Sequence, residues 1–401
     1  MIVGAGQAGG WVARTLRAQG HTGPVTLIGA EPHAPYERPP LSKAVLVGEA
    51  PPDSTRLFPA EDFEALELDF RAGMTVEGID RTARSVTLSS GETVGYDRLV
   101  LTTGGRALTL PIAGMDSERV YTLRTLEDSL AIGAALKTAR KALVVGGGWI
   151  GLEISASARK LETDVVLLEA SDRLCQRAPP PLLSDWLLAV HRGHGVDVRL
   201  CIGIEAIVST PDGITAQLAD GSKVRADLAV VGVGLVANDD LARAAGLACD
   251  GGILTDACGR TEDPAVFACG DVAVFPVPGA ARPMRLESWA NAQNQAIACA
   301  RVVLGQDVDH ADTPWFWSDQ YDANIQIQGL PPQDHDPVLR GDVSGPAFSL
   351  FWLDGDKVAA AVAVNASNDI KVAKRLIDRG IAVDAAALAD TGVNLKTLLR
   401  G

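Results

Sequence analysis

Short apolar runs, each followed by a glycine turn and a helical stretch, dominate the pattern along the chain. "MIV" leads through "GAGQAGG" into "WVARTLRAQG", and "KALVV" leads through "GGGWIGLE" into "ISASARK". A further apolar run comes next in each case, "GPVTLIG" after the first and "TDVVLLEA" after the second. The pattern predicts strand–turn–helix–strand units and therefore an α/β fold.

The first turn carries the spacing G-x-G-x-x-G at Gly4, Gly6 and Gly9. Glycines at these places permit the tight turn, let the main chain approach a pyrophosphate and let the helix pack on the strand. The phosphates then lie at the positive end of the helix. Glu31 ends the next run, 22 residues after Gly9, a distance at which an acid binds a ribose. These residues predict a dinucleotide site.

The second turn repeats the motif at Gly146, Gly148 and Gly151 after a longer apolar strand. Glu169 ends the following strand, 18 residues after Gly151. A carboxylate there accepts hydrogen bonds from a free 2′-hydroxyl and repels a 2′-phosphate, so this site is predicted to prefer NADH over NADPH. Arg173 lies four residues further on and opposes that preference.

The repetition extends beyond the glycine turns. Residues 85–105 and 214–234 each read as a hairpin followed by a strand that ends in glycines. The first ends on Thr103 and Gly104, and the second on Gly232 and Gly234. Two halves of one design predict two Rossmann-like dinucleotide-binding domains, arranged as in glutathione reductase. Their ligands should differ, one flavin and one nicotinamide, because two nicotinamides would have no chemistry to share.

Composition narrows the function classes. A chain of 401 residues suits two or three domains, and a net charge of −14 argues against nucleic acid as a partner. The sequence shows no apolar run of bilayer length and no secretory signal, so we expect no membrane association and a cytoplasmic location. The six cysteines form no C-x-x-C pair and are predicted to be small buried residues, with no metal site. His191 and His194 are predicted to be surface residues.

Six segments occur in an order that resembles one family. They are "PYERPPLSK" (35–43), "RTLED" (124–128), "GGGWIGLE" (146–153), "TEDPAVFACGD" (261–271), "LESWANAQNQ" (286–295) and "PWFWSDQY" (314–321). Together they resemble the FAD-dependent ferredoxin reductases that serve bacterial oxygenases. The resemblance spans the chain and implies that the first site holds FAD and the second NADH.

The resemblance also assigns individual residues. Relatives often carry the ribose-binding acid where this chain has Ala30, which leaves open whether the neighbouring Glu31 takes its place. "LESWANAQNQ" should begin a helix whose main-chain N–H groups face the flavin. The residues assigned to FAD are Gly4, Gly6, Ala8, Gly9, Glu31, Arg38, Lys43, Val76, Thr103, Gly104, Arg124, Gly270, Asp271 and Trp289. The residues assigned to NAD are Gly146, Gly148, Gly151, Glu153, Glu169, Gly232 and Gly234.

The same resemblance suggests the residues nearest the chemistry. Glu153, expected in the first turn of its helix, is assigned to orienting the nicotinamide, and Glu287 is a weaker candidate of the same kind. Trp317 is placed beside the flavin edge and Trp315 in the core. No cysteine lies between residues 31 and 50, where relatives with a thiol mechanism carry one, so electrons should leave the flavin directly.

The expected acceptor is a [2Fe-2S] ferredoxin that feeds an aromatic-ring dioxygenase or a cytochrome P450. A rubredoxin reductase, an NADH oxidase and an apoptosis-inducing-factor-like protein that binds FAD and NADH for signalling remain alternatives. Two basic groups remain candidates for the ferredoxin-binding surface. They are the stretch Lys371 to Arg379 and the pair Arg282 and Arg285.

The predicted domains are an FAD-binding domain over 1–111 and 238–313, an NAD-binding domain over 112–237 and a C-terminal α+β domain over 314–401. In the last of these, residues 314–330 read as a loop and then an alternating strand. A hairpin should turn at Asp354 and Gly355, and "NDIKVAKRLIDRG" should form a helix.

Overall fold

A computed structural model describes residues 1–176, 180–308, 310–332 and 335–400. The helices are α1 Gln7–Ala18, α2 Ala44–Val47, α3 Ala60–Glu64, α4 Leu126–Leu136, α5 Trp149–Lys160, α6 Pro181–Gly193, α7 Asp240–Ala244, α8 Trp289–Val303, α9 Ser367–Arg379 and α10 Ala385–Ala389. Short 3-10 helices span Pro39–Ser42, Pro52–Thr55 and Leu395–Arg400.

The strands follow in chain order. The first twelve are β1 Ile2–Val3, β2 Thr26–Gly29, β3 Asp69–Ala72, β4 Val76–Asp80, β5 Ser85–Leu88, β6 Thr93–Gly95, β7 Leu99–Leu101, β8 Gly105–Ala107, β9 Val120–Thr122, β10 Lys141–Val145, β11 Asp164–Leu168 and β12 Asp197–Arg199. The rest are β13 Ile204–Thr210, β14 Gly213–Leu218, β15 Lys223–Ala226, β16 Leu228–Val231, β17 Leu235–Ala237, β18 Ile253–Leu254, β19 Val266–Ala268, β20 Ala273–Val274, β21 Trp315–Gln320, β22 Ala323–Gln328, β23 Val338–Gly341, β24 Phe348–Asp354 and β25 Lys357–Val364.

The chain divides into two compact units, each built from separate segments. Unit 1 consists of residues 1–37, 53–106 and 236–315, and unit 2 consists of residues 38–52, 107–235 and 316–401. The three-domain division proposed from the sequence stays a prediction.

Unit 1 is organised around a five-stranded parallel sheet in the order β19-β7-β1-β2-β3. Helices α1 and α8 share one apolar cluster with this sheet, because small and branched side chains such as Val12 and Ala296 are fully buried between them. A second cluster joins the sheet to the antiparallel strands β4, β5 and β6. The hairpin and strand predicted over residues 85–105 are therefore present.

Unit 2 contains a second parallel sheet in the order β12-β11-β10-β16-β9. Each strand that leads into a glycine turn is the middle strand of its sheet, β1 between β2 and β7, and β10 between β11 and β16. The registers repeat as well: the Gly4 N–H donates to Ile28 O at 2.8 Å, and the Gly146 N–H donates to Leu168 O at 2.8 Å. The predicted duplication holds down to single hydrogen bonds.

The C-terminal part of unit 2 is a five-stranded sheet in the order β21-β22-β25-β24-β23, with α9 packed on it. Its apolar face belongs to the same core cluster as the parallel sheet of unit 2, so that Ile325 and Trp352 share a core with Val144 and Leu152. Leu46, from the inserted segment 38–52, lies in that cluster too.

Two details of the C-terminal prediction are wrong. Residues 315–320 form strand β21 instead of a loop, because alternate positions at its second half, Ser318 and Gln320, point inward. The hairpin between β24 and β25 turns at Gly355 and Asp356, since Asp354 pairs with Lys357. Gly355 takes φ +62°, which suits the first position of a two-residue turn. Helix α9 lies where predicted.

Candidate functional site

The two glycine turns have the same internal geometry. Gly4 and Gly146 have φ values of +112° and +106°, which favour glycine. A Cβ on Gly9 would lie 2.0 Å from Gly4 O, and a Cβ on Gly151 would lie 2.0 Å from Gly146 O. The first and third glycines of each motif are therefore required by the protein itself.

The middle glycines face open space. A Cβ on Gly6 or on Gly148 would meet nothing within 4 Å. These residues also begin helices α1 and α5, and neither helix start has a side-chain cap or an acidic residue in its first turn among the described residues. Each turn thus presents unpartnered main-chain N–H groups and a positive helix end to an empty cradle, which fits a pyrophosphate.

In unit 1 the structure brings three predicted FAD segments together. Ala8, in the first turn of α1, touches Gly270, where an added Cβ would lie 2.9 Å from the Cβ of Ala8. The Gly270 N–H donates to Oε1 of Gln295 on α8 at 2.9 Å. Within the described residues, Nε2 of Gln295 and Oε1 of Gln7 are buried without a hydrogen-bond partner. Buried amide atoms of this kind suit a polar ligand in the cradle.

Trp289 and Asp271 belong to the same region of unit 1. The Trp289 indole N–H donates to Oε1 of Glu37 at 3.2 Å, and burial raises the pKa of Glu37. The Asp271 carbonyl accepts from Arg285, which also forms an ion pair of 2.9 Å with Glu287. The exposed Glu287 is thus held by its neighbour two residues before it.

The start of α8 differs in part from the prediction. Ser288 caps it by accepting from the Asn291 N–H at 3.2 Å, so the helix end offers fewer open donors than its sequence suggested.

Four other predicted FAD residues of unit 1 make contacts within the protein. Glu31 accepts a hydrogen bond of 2.5 Å from the buried Tyr36 hydroxyl. Thr103 donates its hydroxyl to Asn238 O at 2.7 Å, and the Asn238 N–H donates to Gly104 O at 2.9 Å. The side chain of Val76 packs in an apolar cluster, which leaves its main-chain groups for contact with a ligand.

Glu169 closes the second turn in unit 2. Its Oε2 accepts from the Gly147 N–H at 2.6 Å and its Oε1 from the Ser171 N–H at 2.8 Å. Arg173, the residue that opposed the NADH assignment, donates to Ser184 Oγ at 3.0 Å and to the Gln176 carbonyl at 2.8 Å. Gly232 packs its carbonyl against Gly146, where a Cβ would lie 2.4 Å away.

Glu153 is buried at the centre of the polar site of unit 2. It is the fifth residue of α5 and only 4% exposed, so the expectation that it lies in the first turn of the helix is wrong. Its Oε2 pairs with Lys43 Nζ at 2.9 Å and accepts from the Ser42 hydroxyl, and its Oε1 accepts from Ser318 Oγ at 2.6 Å. The inserted segment 38–52 therefore delivers a cation directly to α5.

Arg38, at the start of that segment, contacts Arg124. Arg38 Nη1 donates to the Arg124 carbonyl. The Arg124 N–H donates to Asp128 Oδ2 at 2.9 Å, and Asp128 also forms a capping box with Thr125 at the start of α4. Helix α4 thus fixes the main chain at Arg124, and Arg124 fixes Arg38.

Comparisons with known proteins agree along the whole chain. Residues 1–296 match the pyridine nucleotide-disulphide oxidoreductase family, and residues 315–399 match the reductase C-terminal family. The chain is 41% identical over 403 residues to the ferredoxin–NAD(+) reductase component of the anthranilate 1,2-dioxygenase system of Burkholderia cepacia, with 100% of this chain and 98% of that protein covered.

Solved structures give the same result. The ferredoxin reductase for the CYP199A2 system from Rhodopseudomonas palustris matches with a TM-score of 0.95 at 34% identity, covering 99% of this chain and 98% of that one. The covalent putidaredoxin reductase–putidaredoxin complex matches with a TM-score of 0.95 at 37% identity, covering 100% of this chain and 97% of that one. The chain belongs to the ferredoxin–NAD(+) reductase family.

Membership of the ferredoxin–NAD(+) reductase family confirms the predicted resemblance and the fold class, with two Rossmann-like domains and a C-terminal α+β part. The roles assigned to single residues stay predictions. In the part of this reductase that the structure describes, no helix is both long and apolar enough to cross a membrane.

Sequence reasoning misjudged several residues of this reductase. His191 is fully buried instead of exposed, whereas His194 is exposed as predicted. Cys201 is exposed and Cys249 is partly exposed, while the other four cysteines are buried as predicted. Trp315 is only partly buried, and the aromatic residue that packs in the core is its neighbour Phe316, against Trp149 at 5.1 Å.

Sequence reasoning also missed the partners of Glu153. Ser42 directly precedes Lys43 in "PPLSK", and Ser318 follows Trp317 on β21. The sequence gives no alternation that marks Ser318, because the three residues before it on β21 are all aromatic. Trp317 itself is half-buried on the same strand, one residue before that serine.

Proposed function

We propose that this protein oxidises NADH at a bound FAD and reduces a [2Fe-2S] ferredoxin one electron at a time. The balanced reaction is NADH + 2 oxidised ferredoxin → NAD⁺ + H⁺ + 2 reduced ferredoxin. The observation that carries this proposal is the pair of glycine turns with matching geometry, each with an open cradle at its middle glycine. Similarity over the full length to ferredoxin–NAD(+) reductase components supports the choice of acceptor.

FAD is assigned to the turn of unit 1. Gly6 and the start of α1 hold its pyrophosphate, Asp271 binds its ribityl chain, and Trp289 lines the ring. The family resemblance also assigns Arg38, Lys43 and Arg124 to FAD. Bound flavin supplies the ability to accept an electron pair as hydride and to release electrons singly.

NADH is assigned to the turn of unit 2. Gly148 and the start of α5 hold its pyrophosphate, and Glu169 accepts hydrogen bonds from the adenine ribose. Glu153 orients the nicotinamide, and Lys43 keeps a cation beside that carboxylate. Trp317 is proposed to lie beside the flavin edge, on the route by which electrons leave.

The ferredoxin in turn supplies a terminal oxygenase, either an aromatic-ring dioxygenase or a cytochrome P450. The similar proteins come from both kinds of system, one from an anthranilate 1,2-dioxygenase system and one from the CYP199A2 system. A cytoplasmic location remains a proposal from the sequence, and cell fractionation tests it.

A cytochrome c assay tests the function. With NADH and FAD-loaded protein, cytochrome c should be reduced rapidly once a catalytic amount of [2Fe-2S] ferredoxin is added, and slowly without it. Rapid oxygen consumption with no carrier present would indicate an NADH oxidase instead. Stimulation by rubredoxin but not by ferredoxin would favour a rubredoxin reductase, and stimulation by neither would favour a signalling role.

A further inference from the structure

A chain of hydrogen-bonded polar side chains connects Glu153 with Tyr321 in unit 2. The Ser318 hydroxyl donates to Oε1 of Glu153 at 2.6 Å, and Nε2 of Gln320 donates to Ser318 Oγ at 3.0 Å. Oε1 of Gln320 lies 2.9 Å from Nε2 of His191, and the Tyr321 hydroxyl lies 3.2 Å from Nδ1 of His191. We call these five residues the Glu153 chain. Its first four members are nearly or fully buried.

The hydrogen bonds of the Glu153 chain have one direction. The single hydroxyl proton of Ser318 goes to the carboxylate, so Ser318 must accept from the amide NH₂ of Gln320. The amide oxygen then faces His191, which must carry its proton on Nε2. Burial lowers the pKa of His191 to about 4, so the ring is neutral and its Nδ1 accepts from the Tyr321 hydroxyl. Every donor in the chain therefore points toward Glu153.

Charged groups surround both ends of the chain. At the Glu153 end, Lys43 Nζ and the Ser42 hydroxyl contact the other carboxylate oxygen. At the His191 end, the exposed His194 ring stacks on Tyr321 with a centroid separation of 3.6 Å, and Arg159 Nε donates to the His194 carbonyl at 3.0 Å. Electrostatic repulsion from His194 also lowers the pKa of His191, which favours the neutral ring.

We propose that Ser318, Gln320 and His191 are positioning residues that hold the Glu153 side chain in one orientation. The proposal rests on the proposed function, in which Glu153 orients the nicotinamide. A buried carboxylate needs its lone pairs satisfied, and a chain of aligned donors strengthens each bond. The chain is not a proton path, because the Gln320 amide could relay a proton only through its imidic-acid tautomer.

Two variants of the holoenzyme break the chain at different links. Gln320→Met removes both bonds of the amide at similar volume, and Ser318→Ala removes only the donor to Glu153. Gln328→Met is the matched control, since Gln328 is a buried glutamine on β22 outside the Glu153 chain. Ser318→Thr keeps the hydroxyl and tests for rescue.

The first readout is ¹⁵N NMR of histidine-labelled holoenzyme between pH 5 and 8, which needs no turnover. In the wild type the His191 ring should stay neutral with its proton on Nε2 throughout. In Gln320→Met the proton should move to Nδ1, where Tyr321 can accept it. Ser318→Ala and Gln328→Met should leave the tautomer unchanged. A wild-type ring that is charged at pH 6, or that carries its proton on Nδ1, would overturn the proposal.

The second readout is the rate at which NADH reduces the bound flavin, measured in single turnover at pH 7. In Ser318→Ala the rate should fall about ten-fold, because Glu153 loses one of the hydrogen bonds that fix its orientation. In Gln320→Met the Ser318 hydroxyl loses the donor that orients it, so a fall of about three-fold or more is expected. Ser318→Thr and Gln328→Met should stay within about two-fold of the wild type.

The outcomes separate this proposal from the proposed function. Wild-type reduction rates in both broken-chain variants, or an equal fall in Gln328→Met, would overturn the proposal and leave the chain a packing role only. A solvent isotope effect that Gln320→Met abolishes would also overturn it, in favour of a proton path. Slow reduction of cytochrome c with ferredoxin present would count against the proposed function alone, because the NMR result would be unaffected.

Discussion

At the scale of single residues, Glu169 stabilises the second glycine turn and is also proposed to determine nucleotide specificity. It accepts from two main-chain N–H groups, those of Gly147 and Ser171, and so holds the second turn in shape. Arg173, four residues further along the chain, donates to Ser184 and Gln176. The predicted preference for NADH therefore depends on one carboxylate.

We predict that Glu169→Ala weakens NADH binding about ten-fold, because two N–H groups and the ribose lose their acceptor. Adding Ala170→Arg to Glu169→Ala should then favour NADPH, since the exposed position 170 lets the guanidinium meet a 2′-phosphate. The measurement is the ratio of kcat/KM for the two nucleotides. Ala170→Arg alone is the control and should keep the NADH preference. Equal use of both nucleotides by the wild type would contradict the assignment.

Single residues also show why part of the site could not be predicted from the sequence. The glycines and Glu169 could be predicted because their motif demands a fixed spacing in one stretch of chain. Ser42, Ser318 and His191 come from three distant segments, and only tertiary packing joins them. The burial of His191 nevertheless had a signal, since it follows Leu187 by four residues and Leu183 by eight along α6.

At the scale of elements, the third and the middle glycine of each strand–turn–helix unit are needed for different reasons. The third glycine is required by the packing of the helix on the strand, whereas no described protein atom crowds the middle glycine, whose proposed role is to leave room for the ligand. Alanine substitutions at these two positions of one turn should therefore differ: one should affect ligand binding and the other the stability of the fold.

We predict that Gly148→Ala leaves the fold intact but weakens NADH binding about ten-fold or more, because the methyl group enters the cradle. Gly151→Ala should instead lower the free energy of unfolding by about 1–3 kcal/mol, because its Cβ meets the Gly146 carbonyl. Thermal unfolding and NADH titration check the pair. Gly193→Ala, at the open end of α6, is the control: it should leave NADH binding unchanged and should not lower the free energy of unfolding. Loss of stability in Gly148→Ala would show that its cradle is not open.

The capping box at α4 gives a second prediction for an element. Thr125→Ala should lower the free energy of unfolding by about 1 kcal/mol, because the Asp128 N–H loses its acceptor. It should also loosen FAD, since the same Asp128 holds the main chain of Arg124. Thr125→Ser keeps the cap and should behave like the wild type. Denaturant unfolding and the fraction of FAD retained on gel filtration are the measurements.

Regular elements were predictable where the chain gives a strong local pattern, as in β10, α5 and β11. Strand β21 was missed because its three aromatic residues and the preceding Pro314 hide the alternation, which begins only at Ser318. The hairpin was displaced by one residue because "DGD" offers two equally suitable dipeptides for the turn, and pairing across the sheet selects between them.

For the whole molecule, buried His191 links stability to pH. Its pKa is about 4 in the folded protein and about 6.5 in an unfolded chain, so the unfolded state binds more protons between these values. Stability therefore falls as the pH drops from 6.5 to 4, by about 3 kcal/mol for this group.

We predict that the wild type loses more thermal stability than His191→Gln when the pH is lowered from 7 to 5. The glutamine removes the titrating group and keeps an amide for the Gln320 contact. The difference between the two shifts in Tm is the measured quantity. Equal shifts would mean that other groups dominate acid unfolding, and a larger shift in His191→Gln would reverse the sign argued here.

The discontinuous make-up of the two units has a consequence for synthesis on the ribosome. Unit 1 has all its segments once residue 315 has been translated, whereas unit 2 still lacks residues 316–401. Those last residues supply β22, β24 and β25, whose side chains fill the core that Val144 and Leu152 share. Until translation ends, the nascent chain therefore holds the second glycine turn on an incomplete core. A premature stop after residue 315 should yield a product that stays bound to chaperones.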